Sequence, residues 1–147
     1  MNITENQIEF CARQCELQRS GEMSVYRMVK AFNWVNNPHN LFNGIDLEEL
    51  IYLLAEMIEP RNSKGYRQTL VTFASGKKGL NAELIERAMS NLLNGSQFLS
   101  AIDFYREFQL VHPFEAGNGR VGALLFNLLN GTMETPIQPP DIFKEGF

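Results

Sequence analysis

Two apolar stripes of helical spacing face each other across a short break in the chain. Phe98, Ala101, Ile102, Tyr105 and Phe108 precede it, and Val121, Leu124, Leu125 and Leu128 follow it. The break reads His112-Pro113-Phe114-Glu115-Ala116-Gly117-Asn118-Gly119-Arg120. Pro113 has no N–H to donate and disfavours helical backbone in the residue before it, so the first helix cannot run through. Gly117-Asn118-Gly119 then supplies a turn and opens the second helix. The chain is committed here to two helices joined by a tight loop that carries a histidine, a carboxylate and an arginine.

The rest of the chain reads mainly helical. "IEFCARQCEL" and "MSVYRMVKAFNWV" have helical apolar spacing, and "NNPHNLFNG" from Asn36 to Gly44 breaks it. Phe32 and Trp34 are expected to pack these N-terminal helices, residues 3–35, into the core. Asp46 starts a further helix, in which Leu47, Leu50, Ile51, Leu54 and Ile58 form a stripe that stops at Pro60. "GYRQTLVTFASGKKG" differs, because its strand formers and turn residues predict a short strand or hairpin from about Tyr66 to Lys78. Asn81 is placed to cap a helix with Leu84, Ile85, Ala88 and Leu92 on one side, ended by Asn94 to Ser96. The last segment, "PIQPPDIF", is expected to be extended because of its prolines.

Composition bounds the function. At 147 residues, 44% hydrophobic and 20% charged, the sequence suits one domain, residues 1–147, with a real core. A net charge of −4 and an isoelectric point near 5.2 argue against a dedicated nucleic-acid binder, which needs a basic surface to displace counterions. No apolar run approaches the roughly 20 residues of a membrane helix, and the N-terminus lacks the pattern of a signal peptide. A cytoplasmic protein is expected. Cys11 and Cys15, four apart in a predicted helix and without a second pair, read as ordinary thiols in a reducing compartment.

The break between the stripes carries the chemistry. A helix start offers up to four N–H groups without intrahelical partners, and glycines let an anion approach the backbone closely. Arg120, in the first turn, adds a positive fork suited to phosphate oxygens. His112 is the side-chain type whose ordinary pKa suits proton transfer near neutrality. A base beside a phosphate cradle points to transfer from a nucleotide to a hydroxyl. On spacing alone, a plain turn and a locally hydrogen-bonded histidine remain the alternative.

The run "HPFEAGNGR", His112 to Arg120, resembles the signature of the Fic (Fido) family, His-Pro-Phe-x-(Asp/Glu)-Gly-Asn-(Gly/Lys)-Arg, at every defined position except 116. "GYRQTLVTF" looks like the family's target-binding flap, and the resemblance extends over about 46–143. It implies a compact Fic-like helical bundle with a short β-hairpin flap. It also implies a protein adenylyltransferase that moves AMP from ATP to a Ser, Thr or Tyr hydroxyl of a target protein. His112 is then the general base, Phe114 a structural anchor, and Gly117, Asn118, Gly119 and Arg120 the phosphate site. The flap, Tyr66, Arg67, Gln68, Thr69, Leu70, Val71, Thr72 and Phe73, holds the target by strand addition.

Two departures stand out. Ala116 occupies the position of a carboxylate that binds Mg²⁺ in the family, and a methyl group cannot ligate a hard cation. Glu115, its neighbour, is the remaining candidate donor. Ala116 admits three accounts: a degenerate member, an active member that holds metal through phosphates and water, or an inactivating substitution. Many members also have a second arginine, which contacts the γ-phosphate, at the position of Ala123 here. A degenerate nucleotide- or partner-binding module, or Fic-fold transfer of another phosphate-containing group, stays open; Gly119 rather than lysine favours AMP.

The family's inhibitory pattern, (Ser/Thr)-x-x-x-Glu-(Gly/Asn), has no clean copy; "DIFKEG", Asp141 to Gly146, is nearest. A separate antitoxin-like partner is one expectation, and the short length resembles toxin-like members. Of the remaining polar residues, His39 reads as a solvated loop residue. Lys77 and Lys78 read as edge protection that can also meet an acidic target.

Overall fold

The computed structural model describes residues 3–18, 21–41, 44–73 and 75–142. Seven α-helices lie among them. Helix α1, Glu5–Leu17, starts at Thr4 in a reciprocal capping box: Gln7 N–H donates to Thr4 Oγ1 at 3.2 Å, and Thr4 N–H donates to Gln7 Oε1 at 2.9 Å. Helix α2, Glu22–Val35, buries Met28, Ala31, Phe32 and Val35 at three- and four-residue spacing, and Trp34 packs against the same core half-buried. The Pro/Asn break that follows holds a single-turn helix α3, Pro38–Leu41, with His39 exposed on it.

Helix α4, Leu47–Ile58, is capped by Asp46, whose Oδ1 accepts from Glu49 N–H at 2.8 Å. Pro60 ends it and opens a 3₁₀ turn, Pro60–Lys64. Helix α5 covers Ile85–Asn94, α6 covers Ala101–Val111 behind a Ser100 cap, and α7 covers Asn118–Asn130, closed by Gly131 at φ 72°.

Helix α7 is the centre of the molecule. Residues 120–127 are all buried, an all-round burial that marks a helix covered on several sides. Its covering elements are α6, α4 and α1, while α2 bridges α1 and α4. Helix α1 runs antiparallel to α7. Gln7 Nε2 donates to Met133 O, just past the end of α7, at 3.0 Å, Gln14 bonds Gln138, and Gln18 lies against Gly119 at the start of α7.

Three sequence expectations are corrected. The flap is not a β-hairpin: among the described residues there is no strand, only one antiparallel bridge, Thr72 to Lys78, flanked by Phe73 N–H to Lys77 O and Gly79 N–H to Val71 O, each at 2.8 Å. An isolated two-stranded ribbon is marginal in water, and the polar groups from 67 to 69 are drawn instead to the loop before α7. Phe98 does not face inward; it is 84% exposed in a 3₁₀ turn, Ser96–Phe98, because the helical phase begins only after Ser100. Asn81 heads a 3₁₀ turn, Ala82–Leu84, without a side-chain cap, and α5 begins after it.

The proline-rich segment after Met133 is irregular, as its composition demands, and Asn127 holds it. Its Oδ1 accepts from Thr132 Oγ1 at 2.6 Å and Ile137 N–H at 2.8 Å, and its Nδ2 donates to Ala123 O at 2.9 Å and Ile137 O at 3.0 Å. The Asp141–Gly146 stretch lies outside the described residues from 143 onward. Replacing Asn127 with leucine leaves buried backbone groups unpaired and is expected to cost about 2 kcal/mol in urea denaturation. A loss below about 0.5 kcal/mol contradicts this anchoring role.

Candidate active site

Helix α6 ends at His112 because Pro113 forbids another turn. His112 takes the left-handed conformation, φ 51° and ψ 62°, and its N–H closes the helix on Phe108 O at 3.0 Å. Among the described residues it is the sole non-glycine with positive φ. Such backbone at a side chain of this size marks a place where the surroundings dictate direction. Phe73 of the flap meets the imidazole edge-on at a centroid distance of 5.4 Å.

The histidine ring is set up as a neutral base. Its Nδ1 is buried with no partner at hydrogen-bonding geometry. Burial, and after it the Arg67 charge, lower the pKa from 6.5 to about 4, with the Gln109 carbonyl acting in the opposite direction. The ring therefore carries a free lone pair throughout the neutral range.

Arg67 fixes the frame around it. This guanidinium, 1% exposed, donates Nε to His112 O at 2.6 Å, Nη2 to Val111 O at 3.2 Å and Leu80 O at 2.7 Å, and Nη1 to Thr69 O at 2.7 Å. It thus neutralises the carbonyl end of α6 and ties both ends of the flap to it. Arg67 N–H also donates to Pro113 O at 2.8 Å. Next along the flap, Gln68 N–H and Thr69 Oγ1 donate to the two oxygens of Glu115, at 3.2 and 2.9 Å. Leu70 is 51% exposed, and Val71 and Thr72 lead to the bridge and to Phe73. An open groove of about 660 Å³ lies beside Phe73, bounded by Lys77, Lys78, Leu80, Leu84 and Leu110.

The loop itself is anchored from within. Phe114 is fully buried against Tyr66 at 5.6 Å and Tyr52 at 6.1 Å, and the two tyrosines stack at 4.8 Å. Asn118 clasps Phe114 in both directions: Oδ1 accepts from Phe114 N–H and Nδ2 donates to Phe114 O, both at 2.9 Å. Its side chain is thereby turned inward, and only its backbone N–H is left for a ligand. Gly117, at φ 80°, makes the left-handed turn into α7, whose first turn has no side-chain cap.

Arg120 is 5% exposed, yet among the described residues Nε and Nη1 have no partner, and its one ion pair there, Nη2 to Glu59 Oε2, is long at 3.9 Å. Glu59 is shared with Arg61, whose Nε lies at 3.0 Å. An undercompensated buried cation at an uncapped helix N-terminus has the charge and free donors that an anion would satisfy.

Several residues that shape this site escaped the sequence reading. Asn62 donates Nδ2 to Ala116 O at 2.8 Å and Ala55 O at 3.2 Å, which pins the loop to α4; nothing in "PRNSK" distinguishes it. Gln109 donates Nε2 to Asn118 O at 3.0 Å from the buried face of α6. Its place four residues after Tyr105, on the inward stripe, was the available clue. Glu59 and Gln18 likewise had none.

The residues present do not fit a protein-held Mg²⁺. Position 116 offers a methyl group, both oxygens of Glu115 are engaged by the flap, and no cluster of three or more His, Cys, Asp or Glu side chains occurs among the described residues. The phosphate-binding parts do fit an anion, through Arg120 and the first turn of α7.

Because folded His112 has a lower pKa than the unfolded chain, the unfolded chain binds the extra proton between about 6.5 and 4. The associated stability is complete above 6.5 and declines as the pH falls toward 4. NMR titration of the His112 ring is expected to show a midpoint near 4. A midpoint at or above 6 contradicts the buried, arginine-flanked environment.

The sequence profile of the Fic/DOC family matches residues 44–129, more than half of the chain. A search of curated proteins finds no match. Among solved structures, a Fic-domain-containing signaling protein from Bacteroides thetaiotaomicron matches with a TM-score of 0.56 and 19% identity, over 87% of this chain and 56% of that one. This chain thus spans little more than half the length of that protein, and the likeness is one of fold. No helix among the described residues is long and apolar enough to cross a membrane. On the family match, and with the fold in agreement, the chain belongs to the Fic/DOC family.

Proposed function

We propose that this protein is a nucleotidyl transferase that moves AMP from ATP to a Ser, Thr or Tyr hydroxyl of a protein target. The observation that carries the reading is Arg120, buried with two unpartnered nitrogens at the uncapped start of α7, on the loop that also bears His112. Phosphate oxygens of ATP supply the missing acceptors to Arg120 and to the N–H groups of Asn118 and Gly119. His112 Nε2 takes the proton of the target hydroxyl as its oxygen attacks the α-phosphorus. The bond from that phosphorus to the departing pyrophosphate breaks, and the target retains a phosphodiester-linked AMP.

The flap supports the target side of the reaction. Its exposed Leu70 and the single bridge at Thr72 leave backbone groups for an extended peptide, and Arg67 and Glu115 keep it at a fixed distance from His112. The groove flanked by Lys77 and Lys78 suits a target with acidic residues near the hydroxyl. A separate inhibitory protein and a cytoplasmic setting accompany this reading.

One observation favours a second reading. With Ala116 apolar and Glu115 engaged by the flap, the chain lacks a carboxylate to hold metal on the phosphates. It then acts as a nucleotide-binding module without transfer. Incubation of the Ala116→Asp variant with ATP, Mg²⁺ and cell lysate is expected to yield AMP adducts detectable by mass spectrometry, at a higher level than the unsubstituted protein gives. His112→Ala on that background is expected to reduce them about 100-fold or more. Absence of adducts from Ala116→Asp contradicts transfer; nucleotide binding in calorimetry without any adduct supports the module.

A further inference from the structure

The first turn of α7 is covered by a side chain from the other end of the molecule. Helix α1 runs antiparallel to α7, and its C-cap residue, Gln18, lays its side-chain amide on Gly119. A Cβ placed on Gly119 would overlap the Nε2, Cδ and Oε1 atoms together, so the amide lies flat over the glycine. Gln18 is an exposed residue, and its amide makes no hydrogen bond with the described residues. A donor-bearing amide held by packing alone against Gly119, in the first turn of α7, has its hydrogen-bonding capacity free for a ligand.

Helix α7 has little else to offer beyond Arg120. Val121, Gly122, Ala123 and Leu124 are apolar and buried, with Ala123 in the same cluster as Cys11 and Cys15 of α1. Any further donor to a polyphosphate lying over this turn must come from another element. Helix α1 reaches it, with Cys15 beside Arg120 and Gln18 over Gly119, as does the Glu59–Arg61 corner after α4.

We infer that Gln18 is a nucleotide-contacting residue, its side-chain amide donating to the polyphosphate bound over Gly119, so that α1 is a wall of the nucleotide site rather than packing alone. The inference rests on the nucleotide reading of the Gly117–Arg120 turn. The absence of a side chain at Gly119 is part of the same fit, because it gives both the phosphate and the amide access to the backbone.

Calorimetry of the full chain with ATP and, separately, with inorganic triphosphate tests it. Gln18→Ala is expected to weaken both ligands by about 5- to 30-fold, the range of one hydrogen bond to a charged group. Gln18→Glu, which replaces the donor by a negative charge of the same shape, is expected to weaken them further. Gln18 is exposed at a helix end, so unchanged melting temperatures are expected to accompany both variants. If the unsubstituted protein binds ATP and Gln18→Ala binds it equally or more tightly, the amide is a bystander or an obstruction and the inference fails while the nucleotide reading stands. If the unsubstituted protein binds neither ligand, the nucleotide reading fails and takes this inference with it.

Discussion

A guanidinium in a protein interior is costly unless its N–H groups meet acceptors, and Arg67 meets them by gathering carbonyls from three places. Val111 and His112 belong to the end of α6, Thr69 to the start of the flap, and Leu80 to its return. Much of the site follows from that one cation. The end of α6 is held against the flap, His112 is held in its left-handed turn, and the positive charge adds to burial in keeping the imidazole neutral. Burial makes the arrangement stiff, since movement of any one of these segments leaves charged or polar groups unpaired in a low-dielectric setting. The flap therefore needs no β-ladder of its own, and the lone bridge from Thr72 to Lys78 suffices to close it.

The second half of the site is an imbalance left in place. Where Arg67 is fully satisfied, Arg120 is not, although both are almost completely buried. The first cation binds the protein's own carbonyls, and the second keeps two nitrogens without acceptors, which is what the proposed phosphate binding draws on. Asn118 sharpens the division by spending its side chain on Phe114 and leaving its N–H at the mouth of the turn. The two groups to which the proposed function gives proton acceptance and phosphate binding, His112 and Arg120, thus lie on one short loop. Metal binding is not, since Ala116 contributes only backbone groups, both bonded to Asn62.

The sequence made the helices legible because their stripes and caps are local: Asp46 before Leu47 and Ser100 before Ala101 act within one turn. The motif loop was legible for the same reason, since Pro113 and Gly117 impose their backbone on their immediate neighbours. What stayed hidden depends on long-range partners. Gln68 and Thr69 look like strand residues until Glu115, far along the chain, captures their donors. Arg67 in a β-rich string reads as a flap or core-packing residue, and the carbonyls that it gathers are what the string does not show. Asn62 and Gln18 are polar residues in unremarkable settings whose importance comes from Ala116 and Gly119. Phe98 shows the opposite failure, an apolar residue in phase with a stripe but one turn beyond the helix that would have buried it.

The central claim is that the start of α7 receives the phosphates of a nucleotide beside a neutral His112. Amide NMR during titration with ATP reads this directly, residue by residue. The account predicts that the largest shifts fall on the backbone N–H groups of Asn118, Gly119 and Arg120, accompanied by the Arg120 side-chain signals. Shifts confined to other surfaces, or a saturating titration that leaves these groups unmoved, would contradict it.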